Sequence, residues 1–251
     1  QWCQSRRLGL EARLDLVAQV AEALAYAHRH LVVHRDIKPS NVLVDEDGLV
    51  RLLDFGIGRE LASDATRTRS CALTPEYASP EQFAGHDSGT ATDVYGLAAL
   101  CYRLLTGSAP NPGAAAHARP PERPSACAAR APAGSPERGF APRLRGDLDA
   151  VVLRGLDPDP AQRYPGVDAF VADLDNYRRR RPVRARTHST GYRLRRFAQR
   201  NRWPLAAAAV LALTVAGGVL GVAWQAQRAE RAAAEARLQL RYLDSLLREL
   251  A

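Results

Sequence analysis

His34-Arg35-Asp36-Ile37-Lys38-Pro39-Ser40-Asn41, followed thirteen residues after Asn41 by Asp54-Phe55-Gly56, decides what this 251-residue chain can be. The stretch gathers a carboxylate, a cation and two further oxygen-bearing side chains. Lys38 is the only lysine; every other basic residue is arginine. A lone lysine beside Asp36 marks a compact ammonium that a planar guanidinium does not replace. Phosphoryl transfer asks for such a set: an oriented hydroxyl, divalent metal across the phosphates, and cations facing the developing charge.

Asp36 can accept a hydrogen bond from a hydroxyl, and Lys38 can face the transferring group. Asn41 and Asp54 offer the hard oxygens that magnesium takes. Val42-Leu43-Val44 and Leu49-Val50-Arg51-Leu52-Leu53 flank Asp45-Glu46-Asp47-Gly48. Two apolar runs around an Asp-Gly turn predict a β-hairpin. The hairpin folds Asp54 back towards Asn41, so one metal can touch both.

These motifs resemble the protein kinase family. Residues 34–41 follow its catalytic-loop pattern, residues 54–56 its DFG motif, and Ser79-Pro80-Glu81 stands in the place of its APE motif. The resemblance implies a mainly α fold, the large C-terminal lobe of a kinase with a short β-hairpin at the active site. It implies ATP and Mg²⁺ as cofactors and protein serine or threonine hydroxyls as substrates. It makes Asp36 the catalytic base with Lys38 beside it, and Asn41 and Asp54 the magnesium holders. His34, Phe55 and Gly56 take structural roles. Asp93 resembles the buried aspartate that braces the catalytic loop, and Glu81 with Arg163 the ion pair tying the activation segment to the late helices.

Residues 57–78 are the activation segment by the same resemblance. Thr66, Thr68 and Ser70 are the candidate phosphorylation sites, with Arg35 as the cation that pairs with the phosphate. Thr74, in Thr74-Pro75-Glu76-Tyr77, is expected to bridge Asp36 and Lys38. Leu73 departs from the glycine the family usually carries there.

Leu10, Leu14, Val17, Ala21, Leu24, His28 and Leu31 recur at alternating spacings of four and three. That spacing predicts one face of a helix of about six turns, with His28 packed in the core. Residues 108–143 hold eight prolines from Pro110 to Pro142 and predict an irregular connection with little helix. A helical pattern restarts over Arg143 to Arg154, and Val167 to Tyr177 predicts a closing helix. Cys3, Cys71, Cys101 and Cys127 show no metal-binding spacing and are expected to be free thiols without a special role.

Composition changes after Tyr177. Residues 1–177 carry a net charge of −4, whereas residues 178–202 hold eleven arginines and no acid. The chain's net +8 therefore does not describe a basic domain, and a nucleic-acid partner loses its support. Leu205 to Trp224 is twenty residues without a charge, bracketed by Trp203 and Trp224. Its eight Leu and Val residues contribute about −2.4 to −4.8 kcal/mol on an insertion scale. This predicts a single transmembrane helix, with the arginine-rich side and the lobe in the cytoplasm, at the inner (cytoplasmic) membrane. The expected layout is a large lobe (1–177), a basic juxtamembrane segment (178–204) that meets anionic lipid, the span (205–224), and an extracytoplasmic helical segment (225–251). Gly217 and Gly221 form a small-residue pattern suited to a homodimer, to which the Leu240, Leu243, Leu247 and Leu250 face can add.

The chain has no methionine and no Gly-rich phosphate loop, and Lys38 cannot double as a nucleotide-anchoring lysine. What remains, with Arg181-Pro182-Val183-Arg184-Ala185-Arg186 through Tyr192-Arg193 and Phe197 after it, resembles bacterial membrane-anchored serine/threonine kinases, and the expectation is a piece of such a kinase without its small lobe, inactive by itself. The alternative is an inactive kinase-like membrane scaffold. The intact Asp36, Lys38, Asn41 and Asp54 weigh against it.

Overall fold

Helix α1 runs from Leu10 to Arg29 because its apolar positions line one face: Leu10, Leu14, Val17, Ala21 and Leu24 are all buried. In the computed structural model, residues 6–54, 74–86, 89–111, 121–186, 197, 201, 203–218 and 224–225 are described. Contacts divide the chain into two units, Gln1–Arg193 and Leu194–Ala251.

The helix ends differently from its sequence pattern. Leu31 N–H donates to His28 O and Val32 N–H to Ala27 O, the paired bonds of a Schellman stop. Leu31 takes the left-handed position at φ 61°, where glycine is usual, and is 94 % exposed. The expected apolar contact at Leu31 is corrected accordingly: the chain has already turned away from the core. His28 is half-buried, and a hydrogen bond rather than apolar packing holds it.

The predicted hairpin is present. Strand β1 (Val42–Val44) pairs antiparallel with β2 (Val50–Leu52), Leu43 opposite Arg51. Gly48, at φ 84°, makes the turn that a side chain would resist, and Asp45 Oδ1 accepts from Leu49 N–H at 2.8 Å. Gln19 on α1 grips the turn from both sides: its Nε2 donates to Gly48 O and its Oε1 accepts from Val50 N–H. The hairpin is thereby fixed to the helix that precedes the loop.

A four-residue helix α2 (Pro80–Phe83) leads to α3 (Thr90–Thr106), the centre of the lobe. Val94 to Tyr102 are buried without interruption, as expected of a helix enclosed on all sides. Gly107, left-handed at φ 76°, ends it.

The proline-rich stretch is more helical than its composition predicts. It contains α4 (Pro124–Ala129) and α5 (Pro136–Leu144). The reason is local: each helix starts on a proline in its first turn, where the missing N–H costs nothing. Ser135 caps α5 by accepting from Arg138 N–H, and Ser125 N–H and Oγ both donate to buried Asp149. The helix expected to restart at Arg143 begins instead at Asp147, after Gly146 at φ 100°, as α6 (Asp147–Gly155).

Helix α7 (Val167–Arg178) closes the lobe near its predicted limits. The chain then stays on the lobe. Val183 is fully buried, and Arg184 and Ala185 donate their N–H groups to Asp173 at 2.8 and 2.9 Å. The arginine-rich stretch therefore begins inside the first unit.

In the second unit residues 203–218 are helical, and Leu205, Val210, Leu211, Leu213 and Val215 are exposed. Among the described residues no helix is long and apolar enough to cross a membrane. Residues 219–223 of the expected span, Gly221 among them, and the leucine face at 240–250 lie outside the described residues.

Gly155 lies where α6 meets α3 and α7; a β-carbon there would sit 2.6 Å from Ala98 Cβ and 3.2 Å from Phe170. Backbone-borne Cβ atoms cannot swing away. Gly155→Ala is therefore expected to lower unfolding stability by about 1–3 kcal/mol. Urea titration checks this, and Ala98→Gly in the same chain should recover part of the loss.

Candidate active site

The loop between α1 and β1 is held by one buried carboxylate. Asp93, in the first turn of α3, accepts from His34 N–H at 2.9 Å, from Arg35 N–H at 2.7 Å and from His28 Nε2 at 2.7 Å. Arg35 sits at φ 65°, outside the ordinary region for a side-chain-bearing residue. The two N–H bonds to Asp93 hold it there. His34, fully buried, accepts from Asp36 N–H at Nδ1 and donates from Nε2 to Leu53 O at 3.0 Å. This chain of bonds ties the loop to the end of β2.

Within the loop, Lys38 Nζ lies 2.8 Å from Asp36 Oδ2. Asn41 Nδ2 donates to that oxygen at 3.0 Å and to Asp36 O at 2.8 Å. Both side-chain contacts converge on Oδ2. Among the described residues Asp36 Oδ1 has no partner, and the side chain remains partly exposed.

With its nitrogen committed to Asp36, the Asn41 amide turns Oδ1 the other way, where among the described residues only Ser40 Oγ approaches, at 3.4 Å. Leu53 N–H donates to Asn41 O at 2.9 Å, which brings the next residue, Asp54, alongside. Asp54 is exposed, at φ 51°, and among the described residues its carboxylate has no hydrogen-bond partner. Two hard oxygens on neighbouring strand ends, neither spent on strong protein donors, suit a magnesium ion.

Thr74 lines a cavity with Lys38 and a smaller recess with Asp36. Among the described residues its hydroxyl does not bond to either. Its carbonyl instead accepts from Tyr77 and Ala78 N–H. The expected bridge is not made in this arrangement. Phe55, Gly56, Thr66, Thr68 and Ser70 lie outside the described residues.

Glu81 and Arg163 meet in a two-pronged pair, both contacts 2.7 Å, with Arg163 fully buried. Thr92 Oγ1 also donates to Glu81, and Arg163 further donates to Ala91, Asp157 and Pro158 carbonyls. Its guanidinium stacks over the Tyr95 ring at 4.9 Å.

A family profile described as the protein kinase domain matches residues 4–163. The chain belongs to the protein kinase family. It is 36 % identical over 177 residues to a probable serine/threonine-protein kinase of Streptomyces coelicolor, covering 68 % of this chain and 25 % of the relative. It is 34 % identical over 168 residues to serine/threonine-protein kinase PknB of Mycolicibacterium smegmatis, covering 64 % of this chain and 25 % of the relative. The chain thus matches about a quarter of the length of these curated relatives. The crystal structure of the Mycobacterium tuberculosis PknI kinase domain superposes with a TM-score of 0.50 at 31 % identity, covering 68 % of this chain and 56 % of that one.

Several residues of this kinase site are not marked by the sequence motifs. Gln82 ties the segment after the activation region to the loop, its Nε2 donating to Arg35 O at 2.7 Å and its Oε1 accepting from Ser79 N–H and Oγ. The Ser-x-x-Gln spacing is a capping-box signal that could have revealed it. Gly96 is needed for close approach: a β-carbon there would come within 2.9 Å of Ile37 Cβ. Burial pushes the Cys101 thiol up to about 12, in keeping with an inert cysteine.

Burial raises the Glu81 carboxyl, but hydrogen bonding, first of all from the Arg163 guanidinium, outweighs that and leaves it below the ordinary carboxylate value. A depressed folded value stabilises the protein above the unfolded value, near pH 4.3, and the contribution fades as pH falls through the folded one. Arg163→Ala should cost roughly 3–5 kcal/mol at pH 7, because it strands a buried charge. Urea midpoints measured from pH 7 to pH 3 should fall more steeply below about pH 4 in the unaltered chain than in Glu81→Gln. Parallel curves would show that the pair contributes nothing pH-dependent.

Proposed function

We propose that the chain carries the phosphoryl-transfer face of a serine/threonine protein kinase, with ATP and Mg²⁺ as cofactors and protein hydroxyls as acceptors. The observation that carries this reading is the convergence of Lys38 and Asn41 on Asp36 Oδ2. It leaves Oδ1 to accept the hydrogen bond of a serine or threonine hydroxyl. Asp36 orients that hydroxyl in line and takes its proton as the oxygen becomes the nucleophile. Lys38, held by Asp36, puts its ammonium where charge spreads over the transferring oxygens. The electrons of the new O–P bond come from the substrate oxygen, and the breaking bond leaves its pair on the nucleoside diphosphate.

Asn41 Oδ1 and the Asp54 carboxylate fit magnesium, which when bound would neutralise phosphate charge. Their neighbourhood is set by the hairpin and by the Leu53–Asn41 bond. The nucleotide-anchoring lysine that a kinase small lobe supplies is not among these 251 residues, because Lys38 is engaged with Asp36. The chain alone is expected to transfer no measurable phosphate. Thr66, Thr68 and Ser70 are the proposed activating phosphorylation sites, with Arg35 as the partner cation.

The proposed setting is a membrane, with the lobe on its cytoplasmic side. Three observations support it. Residues 203–218 form a helix without a charge, and the apolar side chains of that helix are exposed rather than packed. A helix apolar all round requires an apolar surrounding. Its one hydroxyl, Thr214 Oγ1, bonds back to Val210 and Leu211 carbonyls, as polar groups in lipid must. Anionic lipid facing the arginines, and pairing of two spans through Gly217 and Gly221, complete the proposal. At Gly217 a β-carbon would meet no atom within 4 Å.

In a protein that joins this chain to a Gly-rich loop and anchoring lysine, Asp36→Asn should lower turnover by at least about 10²-fold, the scale of a lost general base. Near-normal phosphate transfer by that variant would remove Asp36 from its role.

The membrane proposal has its own test. The 251-residue chain should float with lipid vesicles and resist alkaline carbonate, whereas a chain ending at residue 193 should stay in the soluble fraction. Extraction of the longer chain by carbonate would contradict a membrane span.

A further inference from the structure

A cavity of about 690 Å³ opens beside Lys38 and Thr74 and runs between α1, β1 and α3. Leu16, Val20 and Leu104 give it an apolar wall. Among the described residues its charged lining is unequal: Arg13, Lys38 and Arg103 against Glu137. Lys38 is matched by Asp36, and Arg13 by Glu137 at 2.7 Å. Arg103 is the surplus. It lies half-buried in the last turn of α3, and among the described residues its guanidinium makes no hydrogen bond or ion pair.

A cation suits the end of a helix. That does not account for a cation that meets no carboxylate among the described residues, inside a partly apolar cavity where charges attract more strongly than at an open surface. Arg13, in the same wall, is by contrast engaged in the fold. Arg13 is 2 % exposed, and among the described residues its Nη2 makes no hydrogen bond. Its other nitrogens are spent on Leu8 O, Leu104 O and Glu137. The influence of Arg103 also reaches Tyr77, whose phenol burial pushes up and Arg103 draws back down.

We infer that this cavity seats an acidic side chain of the protein substrate, flanking the hydroxyl presented to Asp36, with Arg103 as the residue that recognises it. The inference rests on the phosphoryl-transfer reading for which hydroxyl is presented, but the acid-binding site stands on the cavity and its cations. The planar fork of Arg103 accommodates a carboxylate with two parallel bonds. The apolar wall covers the methylene groups of a glutamate and excludes water from the pair. A basic side chain entering the same cavity would meet unopposed positive charge, so the site selects against basic segments as well as for acidic ones.

Peptide binding to the 251-residue chain tests this without requiring turnover. The probes are labelled peptides with one threonine flanked by glutamate, by glutamine or by lysine, read by fluorescence anisotropy. The glutamate peptide should bind at least about tenfold tighter than the glutamine peptide, with the margin shrinking as salt is raised. Arg103→Ala should bring the two within about twofold of each other, and Arg103→Glu should transfer the preference to the lysine peptide. Arg103→Lys should keep part of the acidic preference, which a purely structural role for Arg103 would not predict. Equal binding of the glutamate and glutamine peptides, an acidic preference undiminished in Arg103→Ala, or no binding of any peptide would each overturn the site. Whether the bound peptide is then phosphorylated, once a small lobe is joined to the chain, decides the phosphoryl-transfer reading separately. An acidic preference with no transfer leaves this site standing and removes that reading.

Discussion

The Asp93 carboxylate is the constraint on which the candidate site depends. It is 1 % exposed and receives two backbone N–H groups and one imidazole, all within 2.9 Å. Each bond is charge-assisted and shielded from water, so it is stronger than a neutral bond at the surface. Their joint effect is conformational. They hold Arg35 in a backbone region that costs energy, and the turn this creates sends Asp36 and Lys38 out of the loop side by side. Asp93 itself is anchored because Val94 to Tyr102, which follow it in α3, are buried without interruption. The precision of the site thus comes from the most enclosed helix of the lobe.

Other segments are joined to this centre by buried ion pairs. Arg163 clamps Glu81, 82 residues away in sequence, and Arg13 clamps Glu137 across 124 residues. Such pairs add little net stability over apolar packing, because desolvation offsets attraction. They do penalise any arrangement in which one partner is left alone. That makes them suited to fixing where the activation-side segment and α5 must sit. Gln82, bonded to Arg35 O, completes the connection between the Glu81 clamp and the loop.

Asp173 plays a corresponding part at the other end of the lobe. Fully buried, it accepts from Tyr164 Oη and from the N–H groups of Arg184 and Ala185. The first residues of the arginine-rich stretch are consequently part of the folded lobe, with Arg186 reaching Asp147 at 2.9 Å. Charge composition alone places the change of character at Tyr177. Backbone hydrogen bonds place the end of folded structure further on, because a buried carboxylate recruits whatever N–H groups the chain can supply.

Much of this protein was legible in the chain itself. The loop motif, the hairpin around Asp45 to Gly48, the first and last helices and the Glu81–Arg163 pair follow from local spacing or from the pattern the motifs resemble. Local chemistry determines them: periodicity sets a helix face, and an Asp-Gly turn sets a hairpin. Leu31 shows where periodicity stops being a guide, since a helix stop overrides the next apolar position. The helices at Pro124 and Pro136 show that proline count says less than proline position. The service of His28 and Gln82 to the loop, the orientation of the Asn41 amide, and the place of Arg103 in the same cavity wall as Lys38 were decided only by tertiary structure. Each depends on which side chain arrives from a distant segment to meet a hydrogen bond or leave it open, and no local spacing carries that information.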